Sequence, residues 1–167
     1  MKLTEVKYEL IVDVSKDKAW GILSDYGNVG TFHAGVVSSK AINGTENIAK
    51  LGCDRECHLI DGKRKIMVQE KIIDFKDDAY YTYDVHTWKN FPLAKAHNTF
   101  GVEINNIGKT VIYQISRYRL KPSFLTWIMK GKMKSSLRDA LIAYKHFMET
   151  GEKNSDMTVI KEKYKSF

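Results

Sequence analysis

Apolar and polar residues alternate along residues 5–14, so that Val6, Tyr8, Leu10, Val12 and Val14 share one face. That period of two is the pattern of a half-buried strand. Ser15 then offers an N-cap side chain, and Asp17 puts a negative charge in the first helical turn, where the helix dipole favours it. The spacing predicts a helix to about Asp25, with Ala19, Trp20 and Leu23 buried and Ile22 beside them. Tyr26-Gly27-Asn28 breaks it; Asn28 is placed to cap a second short helix through His33, which Gly35 ends.

From Val36 to Leu120 the period of two dominates, and strands are predicted over 36–42, 53–60, 63–75, 80–88, 94–105 and 110–120. Asn43-Gly44 marks a turn and 45–52 a loop. Asp61-Gly62 reads as a two-residue hairpin turn, and turns follow at Lys76-Asp77-Asp78 and at 106–109, around Gly108. Successive hairpins make an antiparallel meander. Pro122 stops the last strand, and Ser123 is placed to cap a long helix through Thr150, with Gly151 just past its end. Met133, Leu137, Ala140, Leu141, Tyr144, Phe147 and Met148 recur at three-four spacing on one apolar face. Gly131 predicts a bend.

Residues 152–167 are polar without clear periodicity, which predicts a loose tail with a short ordered piece near 157–160, behind a domain of residues 1–151. The order of elements predicts an α+β domain: a curved antiparallel sheet of about seven strands wrapped around a long C-terminal helix, with two short helices after the first strand. Such a sheet can bury its concave face only on that helix. A straight rod does not fill a curved trough, so an apolar gap is expected near one end.

Composition narrows this picture without overturning it. The 167 residues, 43% hydrophobic and 28% charged, suit one globular domain, and no internal repeat points to a solenoid. Glu5, Lys7, Glu9 and Asp13 interrupt the first residues from Met1 onward, which argues against a signal peptide, and no run approaches the ~18 apolar residues of a membrane span. A cytoplasmic location is expected by elimination. The net charge of +7 suits nucleic acid, an anionic membrane or simple solubility. The densest basic stretches, Lys63-Arg64-Lys65 and Lys130 to Lys134 with Arg138 beyond, carry no helix-turn-helix, RNP-like or zinc-finger pattern, so nucleic acid is not expected as a partner. Cys53 and Cys57 fall on one face of a strand, roughly 13 Å apart, too far for a disulfide. They are expected as reduced core residues. A zinc site at Cys53, Cys57 and His58 lacks a fourth ligand at sensible spacing, and neither metal nor cofactor is expected.

Two charges stand out among the apolar strand positions. Arg55, Cys57 and Leu59 share a face, as do Ile66, Val68, Glu70 and Ile72 on the next strand. The Asp61-Gly62 turn sets Arg55 opposite Val68 and makes Arg55 and Glu70 diagonal neighbours. If that face lines the gap, the two charges must pair, because an unpaired buried ion costs several kcal/mol. Two readings stand: a polar anchor, with Arg55 donating to a ligand carboxylate or carbonyl, or a structural ion pair. Replacing Arg55 by Met is expected to abolish ligand binding in a protein that still folds.

His33, His58, His86, His97 and His146 form no close metal motif. His58 points away from Arg55, toward solvent, while His86 and His97 lie on neighbouring strands within reach of each other. The aromatics Tyr81, Tyr83, Trp88, Phe91, Phe100, Tyr113 and Tyr118 suit strands and read as core first. Tyr83 and Tyr118 are the preferred choices for a hydroxyl that meets a ligand. The segment Phe124-Leu125-Thr126-Trp127-Ile128-Met129 is apolar around most of a helix and is followed at once by Lys130, Lys132 and Lys134. Burial is the ordinary outcome for such a helix. The alternative is a cavity mouth that makes transient contact with an anionic membrane.

The order of these pieces resembles the Bet v 1-like, START-related (SRPBCC) superfamily, in particular its polyketide cyclase/dehydrase-like branch, over roughly residues 3–150. The residues that carry the resemblance are Ser15 with Ala19-Trp20, the short helix around Phe32, and Gly-Cys-Asp-Arg-Glu-Cys-His-Leu-Ile-Asp-Gly from Gly52 to Gly62. Gln69-Glu70-Lys71-Ile72 and a last strand from Gly108-Lys109-Thr110 to Lys121-Pro122 complete it. The resemblance implies a helix-grip fold enclosing a pocket for a small apolar molecule such as a lipid, sterol or polyketide. The residues expected around that pocket are Arg55, Cys57, Glu70, Tyr83, Phe100, Gln114, Tyr118, Met133 and Leu137. Gln114 departs from the pattern, since relatives often carry an aromatic near this point, and implies a more polar wall. No catalytic set stands out, so carriage or sensing of a hydrophobic ligand leads. A cyclase/dehydratase-type enzyme and a basic membrane-surface module remain the alternatives. The sequence is silent on oligomeric state.

Overall fold

The computed structural model describes residues 2–167; Met1 and its part in the leader-peptide reading lie outside them. The chain runs β1 (Thr4–Val12), α1 (Lys16–Leu23), a single 3₁₀ turn (Val29–Thr31), β2 (Ser38–Ala41), β3 (Asp54–Asp61), β4 (Arg64–Lys76), β5 (Tyr80–Lys89), β6 (Leu93–Ile104) and β7 (Thr110–Leu120). The helices α2 (Phe124–Ile128), α3 (Lys130–Thr150) and α4 (Met157–Lys163) follow. Seven antiparallel strands form one sheet in the order β1-β7-β6-β5-β4-β3-β2. Register shifts in β4 on either side of residues 70–72, and near Leu93 in β6, bend the ribbon as bulges do. This curved sheet gripping a long C-terminal helix is the helix-grip α+β fold.

Local chemistry accounts for most boundaries. The Ser15 side chain accepts from the Lys18 N–H and caps α1. Gly151, at φ 73°, takes the left-handed position that ends α3 and donates to the Phe147 carbonyl. Three expectations need correction here. Asn28 does not cap a helix; its amide donates to Asp25, and only one 3₁₀ turn forms. The β3–β4 loop is Gly62-Lys63, with Gly62 at φ 62° in the first loop position and Asp61 paired to Arg64 as the last rung of the ladder. The register therefore moves by two residues, and Arg55 stands directly opposite Glu70 instead of Val68. Because the shift is even, every side chain keeps its face.

The long helix is also not continuous. It breaks at Met129, two residues before Gly131, and Ser123 makes no capping hydrogen bond. The cause is a tether: the buried Thr126 hydroxyl accepts from the Leu120 N–H at 2.8 Å, which binds α2 to the end of β7 and off the α3 axis. α3 crosses β1 and β7, burying Leu137, Leu141, Ile142, Tyr144 and Met148. Its far end is fixed by Lys145, whose ammonium donates to the Ile11 carbonyl and to Glu149.

The short ordered piece expected near 157–160 is the helix α4 (Met157–Lys163), and it docks on the domain where a loose tail was expected. Asp156 caps α4 through the Thr158 N–H, and Ile160 (1% exposed) and Tyr164 pack against α3. Arg138 of α3 donates to the Tyr164 and Phe167 carbonyls. Most of its polar residues face solvent, while Ile160 and Tyr164 bury its inner side and the Lys161–Asp139 pair and the Arg138 bonds add to the docking. Ile160→Ala is therefore expected to lower unfolding stability by about 2 kcal/mol or more. Urea denaturation checks this, and an unchanged midpoint would mean that α4 does not contribute to the core.

Candidate functional site

A cavity of about 500 Å³ lies between the inner faces of β3, β4, β5 and β6, the helix α3, and the segment after the 3₁₀ turn. Leu59, Ile66, Phe91, Phe100, Met129 and Met133 give it an apolar wall. α4 contributes Met157 and Lys161, so the cavity extends past the expected domain boundary at residue 151. The volume falls within the range of small-molecule sites.

The deep end is polar and closely satisfied. Arg55 and Glu70 are 5% and 6% exposed, and the Arg55 Nε donates to Glu70 Oε2 at 2.7 Å. Arg55 Nη1 donates to the Tyr26 carbonyl at 2.8 Å, and the guanidinium carbon lies 3.9 Å from the Tyr26 ring centroid and 5.3 Å from that of Tyr83. The Tyr26 hydroxyl in turn donates to the Glu70 carbonyl. Glu70 is thus held from both its side chain and its backbone, and the arginine is clasped between aromatic faces that favour a cation. Two of the five guanidinium N–H groups are used in these bonds, and Arg55 lines the cavity.

Burial shifts several ionisable groups around this pair away from neutral pH. Burial pushes the Cys57 thiol up to about 12, against the pull of Arg55. Burial likewise carries the Tyr144 hydroxyl to about 12, and those of Tyr81 and Tyr83 well above their ordinary value. His33 moves down to about 4, chiefly through burial, with Arg55 adding to the effect against the Ala140 carbonyl. Its ring is neutral with a defined tautomer: Nε2 donates to the Ala140 carbonyl and Nδ1 accepts from the Gly35 N–H, both at 3.0 Å. Among the described residues the buried Gln114 Oε1 has no hydrogen-bond partner. Gln114 lines the cavity, and such orphaned polar atoms carry a desolvation cost that a ligand can relieve.

Of the nine residues expected around the pocket, Arg55, Cys57, Glu70, Tyr83, Phe100, Gln114 and Met133 line this cavity. Tyr118 and Leu137 do not. Tyr118 is buried beyond the wall, with its hydroxyl toward the Thr126 carbonyl at 3.4 Å, and Leu137 packs in the core next to it on α3. His86 and His97 do not meet; His86 lies 2.9 Å from Asp54 and His97 3.2 Å from Asp84. His58 is exposed beside Glu56, as its facing predicted. Sequence reasoning missed Tyr26 and His33 as parts of the site. Both lie in the irregular segment after α1, where no periodicity announces a facing.

The family described as polyketide cyclase / dehydrase and lipid transport matches residues 4–145. The chain belongs to that family. With it comes membership of the SRPBCC superfamily, which the structural neighbours support. No curated protein matches the sequence. Among solved structures, the protein XoxI from Bacillus cereus is similar at 20% identity and a TM-score of 0.63, covering 89% of this chain and 96% of its own. Ara h 8.0201 is similar at 15% identity and a TM-score of 0.62, covering 87% and 97%. Ginseng major latex-like protein 151 from Panax ginseng follows at 9% identity and a TM-score of 0.58, covering 82% and 99%. These likenesses establish the fold. Within this polyketide cyclase/dehydrase-type domain the chemistry of the cavity rests on its own residues.

Two outcomes follow from the buried charges. Arg55→Met leaves Glu70 buried without its partner and should cost about 3–5 kcal/mol, while Arg55→Met with Glu70→Met together should cost far less. Urea unfolding in a double-mutant cycle measures the difference, and equal losses in the single and the double variant would contradict the pairing. His33 binds its proton at about 6.5 in the unfolded chain and about 4 in the folded one. The unfolded state is therefore protonated first, and the stability tied to the neutral ring is whole above about 6.5 and fades as pH falls toward 4. The loss amounts to about 3 kcal/mol. His33→Gln should flatten that part of the stability–pH curve; an unaltered slope would show that His33 is not its source.

Proposed function

We propose that this protein carries or senses a small apolar molecule with one polar end. The supporting observation is a mainly apolar space of about 500 Å³, open on one side, whose lining includes Arg55, Glu70 and Gln114, the last with a side-chain oxygen that has no partner among the described residues. The description of its family, which includes lipid transport, is consistent with carriage.

The floor also indicates what kind of end it suits. The Arg55 charge is already matched by Glu70, so a ligand carboxylate would add an unmatched negative charge to a buried site. A neutral hydroxyl, by contrast, can accept a remaining guanidinium N–H or donate to Gln114 Oε1, and a neutral carbonyl can accept the guanidinium N–H, in each case without any change in net charge. This narrows the expectation of a ligand carboxylate or carbonyl to a neutral end.

A cyclase or dehydratase reaction needs a group that exchanges a proton near the working pH. Cys57 and Tyr144 at about 12, and His33 at about 4 with both ring nitrogens engaged, are poor candidates for that work. Carriage makes no such demand.

Native mass spectrometry of protein purified from its own host should reveal a retained apolar mass. Stripped protein should take up the neutral dye N-phenylnaphthylamine, and a long-chain methyl ketone should displace the dye more readily than a fatty acid of equal length. Ala140→Phe, which fills the cavity from α3, should abolish dye uptake. Dye uptake that survives this substitution would remove the cavity from the argument, and a preference for the acid would overturn the neutral-end reading.

A further inference from the structure

The helix α2 is built inside out. Its polar residue, Thr126, is buried and hydrogen-bonded to the end of β7, while three of its four large apolar residues, all but Leu125, face away from the protein. Phe124, Trp127 and Ile128 fall at i, i+3 and i+4, so they share one face. They are 61%, 82% and 63% exposed. A scattered surface leucine needs no explanation, but a contiguous apolar face of this kind is characteristic of an interaction site.

Two further observations define what that face meets. First, it stands at the cavity mouth. Met129, the residue that follows α2, lines the cavity, as do Lys132 and Met133 from the first turn of α3 and Asp61 and Gly62 from the β3–β4 hairpin. Second, the surroundings are basic. A shallow hollow lined by Lys63, Arg64, Lys65 and Leu125 joins the hairpin to α2, and Lys130 and Lys134 lie just beyond on α3. None of these five basic side chains has a carboxylate within ion-pair distance among the described residues. The acids at the mouth are already engaged: Asp61 with Lys132 at 2.7 Å, and Asp139 with Lys161 at 2.8 Å. The rim therefore presents an aromatic-tipped apolar ridge inside a ring of unmatched positive charge.

We propose that this rim is a membrane-docking surface: α2 inserts Phe124, Trp127 and Ile128 into the headgroup region of an anionic bilayer, while Lys63, Arg64, Lys65, Lys130 and Lys134 bind its phosphates. Apolar insertion and electrostatic attraction are the two contributions that hold a peripheral helix at such an interface. A protein partner would need acidic and apolar groups in a matching relief. A fluid anionic surface supplies both without any fixed shape, and the flexible lysines and one short helix suit it. Docking in this way turns the cavity mouth toward the lipid.

Cosedimentation with phosphatidylcholine vesicles and with mixed phosphatidylcholine/phosphatidylglycerol vesicles tests the proposal. The protein should pellet with the mixed vesicles only, and less so as salt rises. Lys63→Gln with Lys65→Gln should weaken that binding roughly thirtyfold, and Trp127→Ser by about tenfold or more. All these side chains are exposed, so unfolding midpoints of the variants should match the parent and separate lost docking from lost folding. No association with the mixed vesicles, or association that both variants retain, overturns the proposal. Self-association that Trp127→Ser abolishes, without vesicle binding, overturns it as well and assigns the face to a second copy of the chain.

Discussion

The deep end of this fold depends on one buried ion pair. Arg55 and Glu70 face each other across neighbouring strands, out of water, and neither is tolerable there alone. Their partners are drawn from the segment after α1: Tyr26 gives its carbonyl to the arginine, its hydroxyl to the Glu70 backbone and its ring to the guanidinium face. A few hydrogen bonds therefore lock β3, β4 and the α1–β2 connection into one unit. The cavity lies between the wall that this unit fixes and α3.

From that end outward the character of the space changes in a fixed order. The floor is polar, the walls are apolar, and the mouth is basic with an aromatic ridge. A molecule with one neutral polar end and an apolar body matches the floor and walls, and an anionic surface matches the mouth. The same strand face that carries Arg55 and Cys57 inside ends at Asp61 on the rim, so a single hairpin connects the two regions.

The facing of the strands was legible because side-chain parity survives errors of register. Placing the β3–β4 turn one residue early displaced Arg55 from Glu70 by a whole rung, yet both residues still pointed into the cavity. Parity alone does not say how far a side chain lies from the opening. Tyr118 shares an inward facing but is sealed behind Thr126, so it stands outside the lining. Residues without periodicity were harder still. Tyr26 and His33 gave no sign of their positions, and α4 showed only as a short ordered piece near 157–160 because few apolar residues, chiefly Ile160 and Tyr164, mark its buried side.

The alternation of apolar residues, the caps at Ser15 and Gly151 and the order of elements by themselves determined the helix-grip architecture and the inward face of each strand. These are local properties, set by backbone geometry and by which side chains leave water. Only the tertiary structure decided that Arg55 and Glu70 stand rung to rung, that α4 packs on α3, and that α2 turns its apolar side outward. Each of those depends on a contact between residues distant in the fold's layers or set by a turn one residue out of register, such as the Thr126 tether to Leu120. An apolar run states that it will avoid water, but not which surface, protein or lipid, will cover it.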